Sequence, residues 1–375
     1  VVIIEGLLET CKKIVRRLDL QDPGLCPNVC EWALKQQGES CKILRNAGEF
    51  LPEIKGTHDA RVIESFQKHT RISYPNKYHV KLSGCRITGR DGFLRLNDGR
   101  YALETGWHDF MIQKNPAYFQ RRLFSRQRVR KLSGEYYSLM GVWCREHYHW
   151  LHDQIMGLFL IRERLADHVK FIIPDQLKKY QLQALDKVGI PDERRVIYDG
   201  SEIFEPEILH FSGPNIQTGF DEPESVEWFL RAMIPRQSAP IVGRRIYISR
   251  KNAKFRRIVN EDELSFLLEQ EGFEKIVIGD EMELEERIGI FSEASSVVSV
   301  HGAALVNLMY CRPETSVLEI LNRLIFVRIT GSCPWLRNLI IILLWVKQCR
   351  RVFLRILILN FQWRLSLVTF AFRIH

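Results

Sequence analysis

A chain of 375 residues, 46% of them hydrophobic and 26% charged, has the composition of a globular protein, which excludes collagen-like, coiled-coil and disordered classes. Its length allows two or three domains of ordinary size. The net charge of +9 points to nucleic acid or an anionic membrane only until it is located: residues 323–375 hold nine cations and no Asp or Glu, whereas residues 1–322 hold 45 basic and 45 acidic side chains. The body is neutral, so its composition gives no reason to expect a nucleic-acid partner.

The chain opens VVIIEGLLETCKKIVRR, an apolar run too short for a membrane span and without the cationic start of a secretory signal. Since position 1 is not Met, this absence carries little weight. Residues 1–70 read as a mostly helical, polar segment with a turn at Asp22-Pro23-Gly24. Nine cysteines, an odd number running from Cys11 to Cys349, do not make the framework of a small secreted domain. Cys26 and Cys30 lack a second pair at zinc-ligand spacing. Free thiols in a reducing compartment are therefore expected.

From Arg71 to Thr105 short alternating stretches (YHVKLSGCRI, GFLRL, RYALET) are separated by Gly-Arg-Asp-Gly and Asn-Asp-Gly, which is hairpin chemistry and predicts a small antiparallel unit. From about Glu135 to Pro235 apolar strands alternate with helices: YSLMGVW, a helix from about His149, VKFIIP, a helix over Gln176–Lys187, VIYDG, EILHFS, and a helix over Glu222–Met233. That alternation predicts a parallel sheet in a Rossmann-like domain spanning 71–235 together with the hairpin unit.

After a loop at 236–243, a second alternating series fills 244–322. RRIYIS is its first strand. Asn260 caps a helix with Glu263 in capping-box position, and Gly272 ends that helix before the strand KIVI. A helix over Leu284–Ala294, the strand SVVSV, a helix after His301 and the strand SVLEI complete a second Rossmann-like domain. The fold class is α/β.

Ligands of parallel sheets bind beyond the carboxyl ends of the strands, where amides at the next helix start receive anions. His301-Gly302-Ala303-Ala304 stands at such a place. Gly302 permits close backbone approach, Ala303 and Ala304 leave room, His301 can donate to a phosphate or sugar oxygen, and Asn307 lies about one turn on. A tight strand-to-helix turn with a packed histidine has the same residue types. Beyond RRIYIS, the segment SRKNAKFRRIVNEDEL places Arg250, Lys251, Lys254, Arg256 and Arg257, suited to stabilising a departing diphosphate; most charge runs are solvated surface. In YHWLHD, His149 and Asp153 are four apart and share a helical face, so the carboxylate can fix the imidazole tautomer and leave the ring's other nitrogen to take a proton. A buried His/Asp pair joining helix to sheet is the bland alternative.

These three motifs, in this order and followed by SVLEI, resemble glycosyltransferase family 61 over roughly Tyr74 to Ile320. The resemblance implies a GT-B architecture, two Rossmann-like domains facing a cleft. It implies inverting transfer of a sugar from a nucleotide-diphosphate donor, UDP-linked by analogy, to a glycan or polysaccharide acceptor. His149 and Asp153 fall in the catalytic motif, and Ser249, Arg250, Arg257, His301, Gly302, Ala303, Asn307 and Glu319 on the donor side, Glu319 holding ribose or sugar hydroxyls or else reaching solvent. Lys251 and Lys254 read as solvated, and Asn260, Glu261 and Glu263 as capping. With arginines at the diphosphate and no Asp-x-Asp at a suitable strand end, no metal or other cofactor is expected. By analogy the product is a bacterial cell-surface polysaccharide of capsular type, made in the cytoplasm.

The chain departs from the family where Glu146-His147-Tyr148 replaces the usual Asn-Tyr-Tyr and where His152 replaces an apolar residue. The resulting HYHWLHD string opens two alternatives to transfer. One is a metal-dependent hydrolase with His147, His149, His152 and Asp153 as ligands, although their order differs from an H-x-H-x-D-H cluster. The other is a nucleotide-sugar binder without turnover. After Ile320 the tail at 323–375 loses the family pattern. It reads either as an out-of-frame C-terminus or as a basic amphipathic helix with Lys347, Arg350, Arg351 and Arg355 on one face, giving peripheral membrane contact through 340–375.

Overall fold

The computed structural model describes residues 24–36, 41–50, 72–105, 127–213, 223–234, 243–253, 257–258, 260–312 and 315–320, together with the backbone of 341–344, 352–358 and 366–372. Two sheets dominate a mixed α/β structure. The first has ten strands. Its main members are β1 (Lys77–Leu82), β2 (Val129–Ser138), β3 (Lys170–Pro174), β4 (Arg195–Tyr198) and β5 (Ile203–Ser212). β5, β2, β3 and β4 lie side by side and parallel. The chain builds outward from β2 through β3 to β4, then returns to place β5 on the other side of β2.

In β3 the period-two alternation of a strand sends neighbouring side chains to opposite faces. Phe171 and Ile173 enter the core beneath the helix Lys179–Lys187, while Ile172 joins a second cluster with Val80 and Tyr198. Both faces are buried, which is why VKFIIP reads as a continuous apolar run.

The hairpin strands of 77–102 extend this sheet, whereas Ile72–Tyr74 pairs antiparallel with Gly48–Phe50 in a separate two-stranded sheet. β1 and the strand Arg86–Thr88 both pair antiparallel with β5, Leu82 opposite Leu209 and Ile87 opposite Phe204. An edge of the parallel sheet would otherwise expose unpaired amides and carbonyls.

The second sheet is parallel throughout, with β6 (Arg244–Ile248), β7 (Glu274–Ile276), β8 (Ala294–Val300), β9 (Ser316–Ile320) and β10 (Ile341–Leu344) in the order β7-β6-β8-β9-β10. The two sheets share one apolar core. Phe171, Ile173, Tyr180 and Leu185 of the first pack in the same cluster as Ile246, Ile248, Val297 and Val317 of the second, with Phe229 and Met233 of the helix Pro223–Met233 among them. Where the helix Lys179–Lys187 meets the helix Leu284–Ser292, Lys178 pairs with Asp280 at 3.0 Å and Lys187 with Glu285 at 3.0 Å. Gln183 Oε1 accepts the Leu284 N–H at 2.9 Å. That bond satisfies an otherwise orphan amide of the second helix from an element of the first sheet.

Several sequence expectations need correction. The described part of 1–70 contains the helix Val29–Gln36 and the strands Leu25–Cys26, Lys42–Arg45 and Gly48–Phe50, and the rest of the segment read as mostly helical lies outside the described residues. The strand expected at YSLMGVW ends at Ser138, eight residues of it lying upstream of Tyr137, and the helix after it begins at His147. Asn260 makes no capping bond; its Nδ2 donates instead to Glu263 Oε2 at 2.9 Å. In the tail, 352–358 and 366–372 form an antiparallel pair, so the stretch containing Arg355 is a strand, not an amphipathic helix. Lys347, Arg350 and Arg351 lie outside the described residues. No helix among the described residues is long and apolar enough to cross a membrane.

The thiol reading also fails at one pair: Cys30 and Cys41 form a disulfide, while Cys26, Cys85 and Cys144 are buried free thiols. Spacing alone could not reveal this, because Cys30 stands in a helix and Cys41 just before a strand, and their approach is set by tertiary packing. The bond closes a separation of 11 residues, for which chain entropy gives about 3 kcal/mol. The variant with Cys30→Ala and Cys41→Ala is therefore expected to lose roughly 2–3 kcal/mol in urea unfolding; equal stability of the two chains would contradict the pairing.

Candidate active site

Two chain segments leave the second sheet at its carboxyl edge and converge. Since β7 lies on one side of β6, and β8 and β9 on the other, the direction of winding reverses between β6 and β8. A crevice opens at such a switch point because consecutive connections run to opposite faces of the sheet. Ser249-Arg250 follows β6, and His301-Gly302 follows β8. The two sequence motifs therefore meet at the place where a parallel sheet receives a ligand.

At this crevice Arg250 lies over Gly302. A methyl group built on Gly302 would overlap Arg250 Nη1 and stand 2.6 Å from Cζ. Gly302 has φ 172°, extended backbone open to any residue, so the requirement for glycine is one of space. Ala303 is exposed and opens a 3-10 helix, Ala303–Tyr310, whose first amides have no intrahelical carbonyl to bond. A guanidinium thus lies beside the start of this 3-10 helix.

Two buried carboxylates hold these groups. Glu319, 2% exposed at the end of β9, accepts from His301 Nδ1 at 2.6 Å. The proton on Nδ1 leaves the lone pair on Nε2. Glu261 accepts from the Ser249 hydroxyl and from the Arg250 backbone N–H at 3.1 Å, fixing the loop from which the guanidinium projects. Glu261 was read from sequence as a capping residue, and nothing in linear spacing shows that it supports Arg250. Lys251 forms an exposed ion pair with Asp262 at 2.7 Å. Arg257 is exposed and forms no hydrogen bond or ion pair with Arg250 or His301 among the described residues. Lys254 and Arg256 lie outside the described residues.

The third motif approaches from the first sheet. After β2, His147–His149 form an α-helical turn that continues as a π-helix over Trp150–Ile155. The wider π turn, uncommon outside functional sites, carries the contact foreseen from the sequence: His149 Nδ1 meets Asp153 Oδ2 at 2.7 Å, with both side chains half-buried. Tyr148 packs edge-on against His149 and stacks on His152.

His147 joins the two halves. Its Nε2–H donates to Asn307 Oδ1 at 3.1 Å, and Asn307 Nδ2 donates to the Ala304 carbonyl at 2.9 Å. Asn307 is wholly buried, so its carboxamide braces one sheet against the other. His147 Nδ1 is buried with no hydrogen-bond partner among the described residues. Burial, and then the nearby Arg287 cation, lower the His147 pKa to about 3, outweighing the Asn307 bond. Arg287 itself lies 3.7 Å above the Tyr180 ring, against whose face His147 packs edge-on. The three histidines of HYHWLHD thus point to different partners. No group of three or more His, Cys, Asp or Glu side chains among the described residues is arranged to hold a metal ion.

Residues 147–318 match the family model described as Glycosyltransferase 61. Over those residues the chain is similar to glycosyltransferase family 61. That similarity points to glycosyltransferase activity, the transfer of a sugar to an acceptor. The family 61 segment opens at His147 and closes at Leu318, so both partners of the His147–Asn307 bridge fall inside it and Glu319 stands one residue beyond. No curated protein matches the chain.

A neutral buried histidine gives a pH prediction. With a folded pKa near 3 and an unfolded value near 6.5, the unfolded chain binds the proton first as pH falls. Stability is therefore complete above about pH 6.5 and declines below it, by up to about 1.4 kcal/mol per pH unit from this group, until the folded value is reached. His147→Gln, which can still donate to Asn307, is expected to flatten that dependence between pH 6 and 4 in a denaturant series. An unchanged slope would remove His147 as its source.

Proposed function

We propose that this chain is a family 61 glycosyltransferase, inverting and of GT-B type, that takes its sugar from a nucleotide diphosphate, UDP-linked, and delivers it to a glycan hydroxyl. The placement of Arg250 over Gly302 at the switch point of the second sheet carries this reading. A diphosphate there meets a guanidinium and the amide at Ala303, while the lone pair on His301 Nε2 accepts from a ribose or sugar hydroxyl of the donor. Arg257, on the exposed stretch beyond Arg250, would meet the nucleotide as it enters. Ser249 and Glu319 serve the site through Arg250 and His301, and Asn307 through His147.

The first-sheet half supplies the acceptor side. Asp153 holds the His149 proton on Nδ1, so Nε2 takes the acceptor hydroxyl's proton as that oxygen bonds to the anomeric carbon. The bond from anomeric carbon to phosphate oxygen breaks on the opposite face. The electron pair leaves with the diphosphate, whose growing charge Arg250 stabilises. Backside displacement inverts the anomeric centre. A fixed cation at the leaving group supplies the charge that a divalent ion would bring, so transfer is expected without one. The histidines of HYHWLHD diverge, which disfavours the hydrolase alternative.

Calorimetric titration with UDP, with and without EDTA, tests the donor half. Saturable binding unaffected by EDTA is expected. Arg250→Ala should weaken it by roughly 10- to 150-fold, the range for a charge-assisted bond. Gly302→Ala, which forces the guanidinium aside, should weaken it by about tenfold or more. Binding that requires a divalent ion, or that is indifferent to both changes, would overturn the assignment.

The acceptor half is tested by turnover. His149→Ala is expected to lower kcat by about 10²- to 10⁴-fold with UDP affinity unchanged, and Asp153→Asn by less, because the ring survives with its tautomer released. Retention of full kcat in His149→Ala would move the base elsewhere.

A further inference from the structure

Between the end of β2 at Ser138 and the helix starting at His147, the chain crosses the carboxyl edge of the first sheet beside its own switch point, where β5 returns next to β2. Val142 and Cys144 in this crossing are buried, yet Trp143 between them is 41% exposed. Its φ is +59°, a left-handed conformation that a bulky aromatic residue rarely adopts. Such strain persists only where the surroundings over-determine it.

The surroundings here do. Cys144 N–H bonds to the Gly141 carbonyl at 3.1 Å and Glu146 N–H to the Trp143 carbonyl at 2.8 Å. Arg145 Nε donates to Asp175 Oδ1 at 2.9 Å, and Arg145 Nη2 to the Arg90 carbonyl at 3.3 Å. Gly141 sits so near the π-helix that an added methyl would stand 2.7 Å from Gln154 Nε2. Gln176, the other described non-glycine residue with positive φ, accepts from Arg90 Nη2 at 3.2 Å. Both strained residues therefore flank one Arg90–Arg145–Asp175 knot. The knot holds an exposed indole with its centroid 4.9 Å from the His149 ring.

Packing does not account for this arrangement. Trp150 and Trp32 meet the core's needs at 0% and 3% exposure, whereas Trp143 keeps much of its surface in solvent at the expense of backbone strain. A rigid, exposed aromatic face beside a candidate proton acceptor matches one substrate chemistry closely. A pyranose presents a patch of C–H bonds on one face, which packs on an indole, while its hydroxyls project from the rim. Stacked on Trp143, such a ring would carry a rim hydroxyl toward His149.

We propose that Trp143 is the acceptor platform: the terminal pyranose of the acceptor glycan stacks on its indole, which sets the hydroxyl that His149 deprotonates. This rests on the transfer reading above and names the acceptor subsite that reading requires.

The test uses the full chain, saturation-transfer NMR with a panel of methyl pyranosides (gluco, galacto, manno, xylo and N-acetylglucosamino, both anomers), and UDP titration of the same samples. At least one pyranoside is expected to bind, Trp143→Phe to keep its affinity within about threefold, and Trp143→Gly to lose tenfold or more. Since glycine accepts a φ of +59° without strain, Trp143→Gly should melt no lower than the parent, and its UDP affinity should be unchanged. Full pyranoside binding by Trp143→Gly would overturn the proposal. So would a parallel loss of UDP affinity, which would make the indole a nucleobase platform, or the absence of pyranoside binding in a parent chain that binds UDP. If the parent binds no UDP but shows a Trp143-dependent pyranoside signal, the donor assignment falls and the platform stands.

Discussion

The hydrogen bond from His147 to Asn307 is the constraint on which the rest of the site depends. It runs from the first turn after the first sheet's central strand to the helix that follows the glycine turn of the second, in a region without water-exposed surface. Burial and the Arg287 cation keep the imidazole neutral, so the bond is made by a single tautomer whose Nε2 carries the proton. Asn307 passes the contact to the Ala304 carbonyl, within one turn of Gly302. The histidine two residues beyond His147 and the glycine five residues before Asn307 are thereby held in register by one buried polar link. The shared apolar core around it excludes water and makes loss of either partner costly.

Around that link the groups suited to meet a ligand are each held by a carboxylate that does not meet it. Glu319 orients His301, Glu261 holds the Arg250 loop, and Asp153 holds His149. Two of these three carboxylates are almost fully buried, a position tolerable only because each accepts hydrogen bonds from the group it orients. Pre-positioned donors cost little to reorganise when charge develops, which is the physical basis of electrostatic stabilisation in a transferase site. The disulfide at Cys30–Cys41 lies apart from these contacts, in the antiparallel extension of the first sheet.

The strands VKFIIP, RRIYIS, SVVSV and SVLEI were legible because strands buried on both faces read as continuous apolar runs, and their order predicted the parallel second sheet. His149–Asp153 was legible because a four-residue spacing closes on one helical face. Contacts across many residues were not. Glu319 is 18 positions from His301, and Glu261 is 11 from Arg250, so neither support follows from periodicity. His147 entered the sequence reading only as a possible metal ligand, since no local pattern foretells a bond to a residue 160 positions away. The positive φ of Trp143 and the π-helix after it also escaped, because both are imposed by packing and not by intrinsic preference. The hairpin stretch was recognised, but its incorporation into the first sheet depends on the exposed edge of β5, which sequence spacing does not display.

The central claim is that a nucleotide diphosphate sits at the switch point of the second sheet, under Arg250 and against the turn at Gly302. A crystal structure of the chain with UDP tests it most directly. The account predicts both phosphates at the carboxyl edge between β6 and β8, within hydrogen-bonding distance of the Arg250 guanidinium and the Ala303 amide. Phosphates at the amino edge of the sheet, or beyond β2 and β5 of the first sheet, would contradict it.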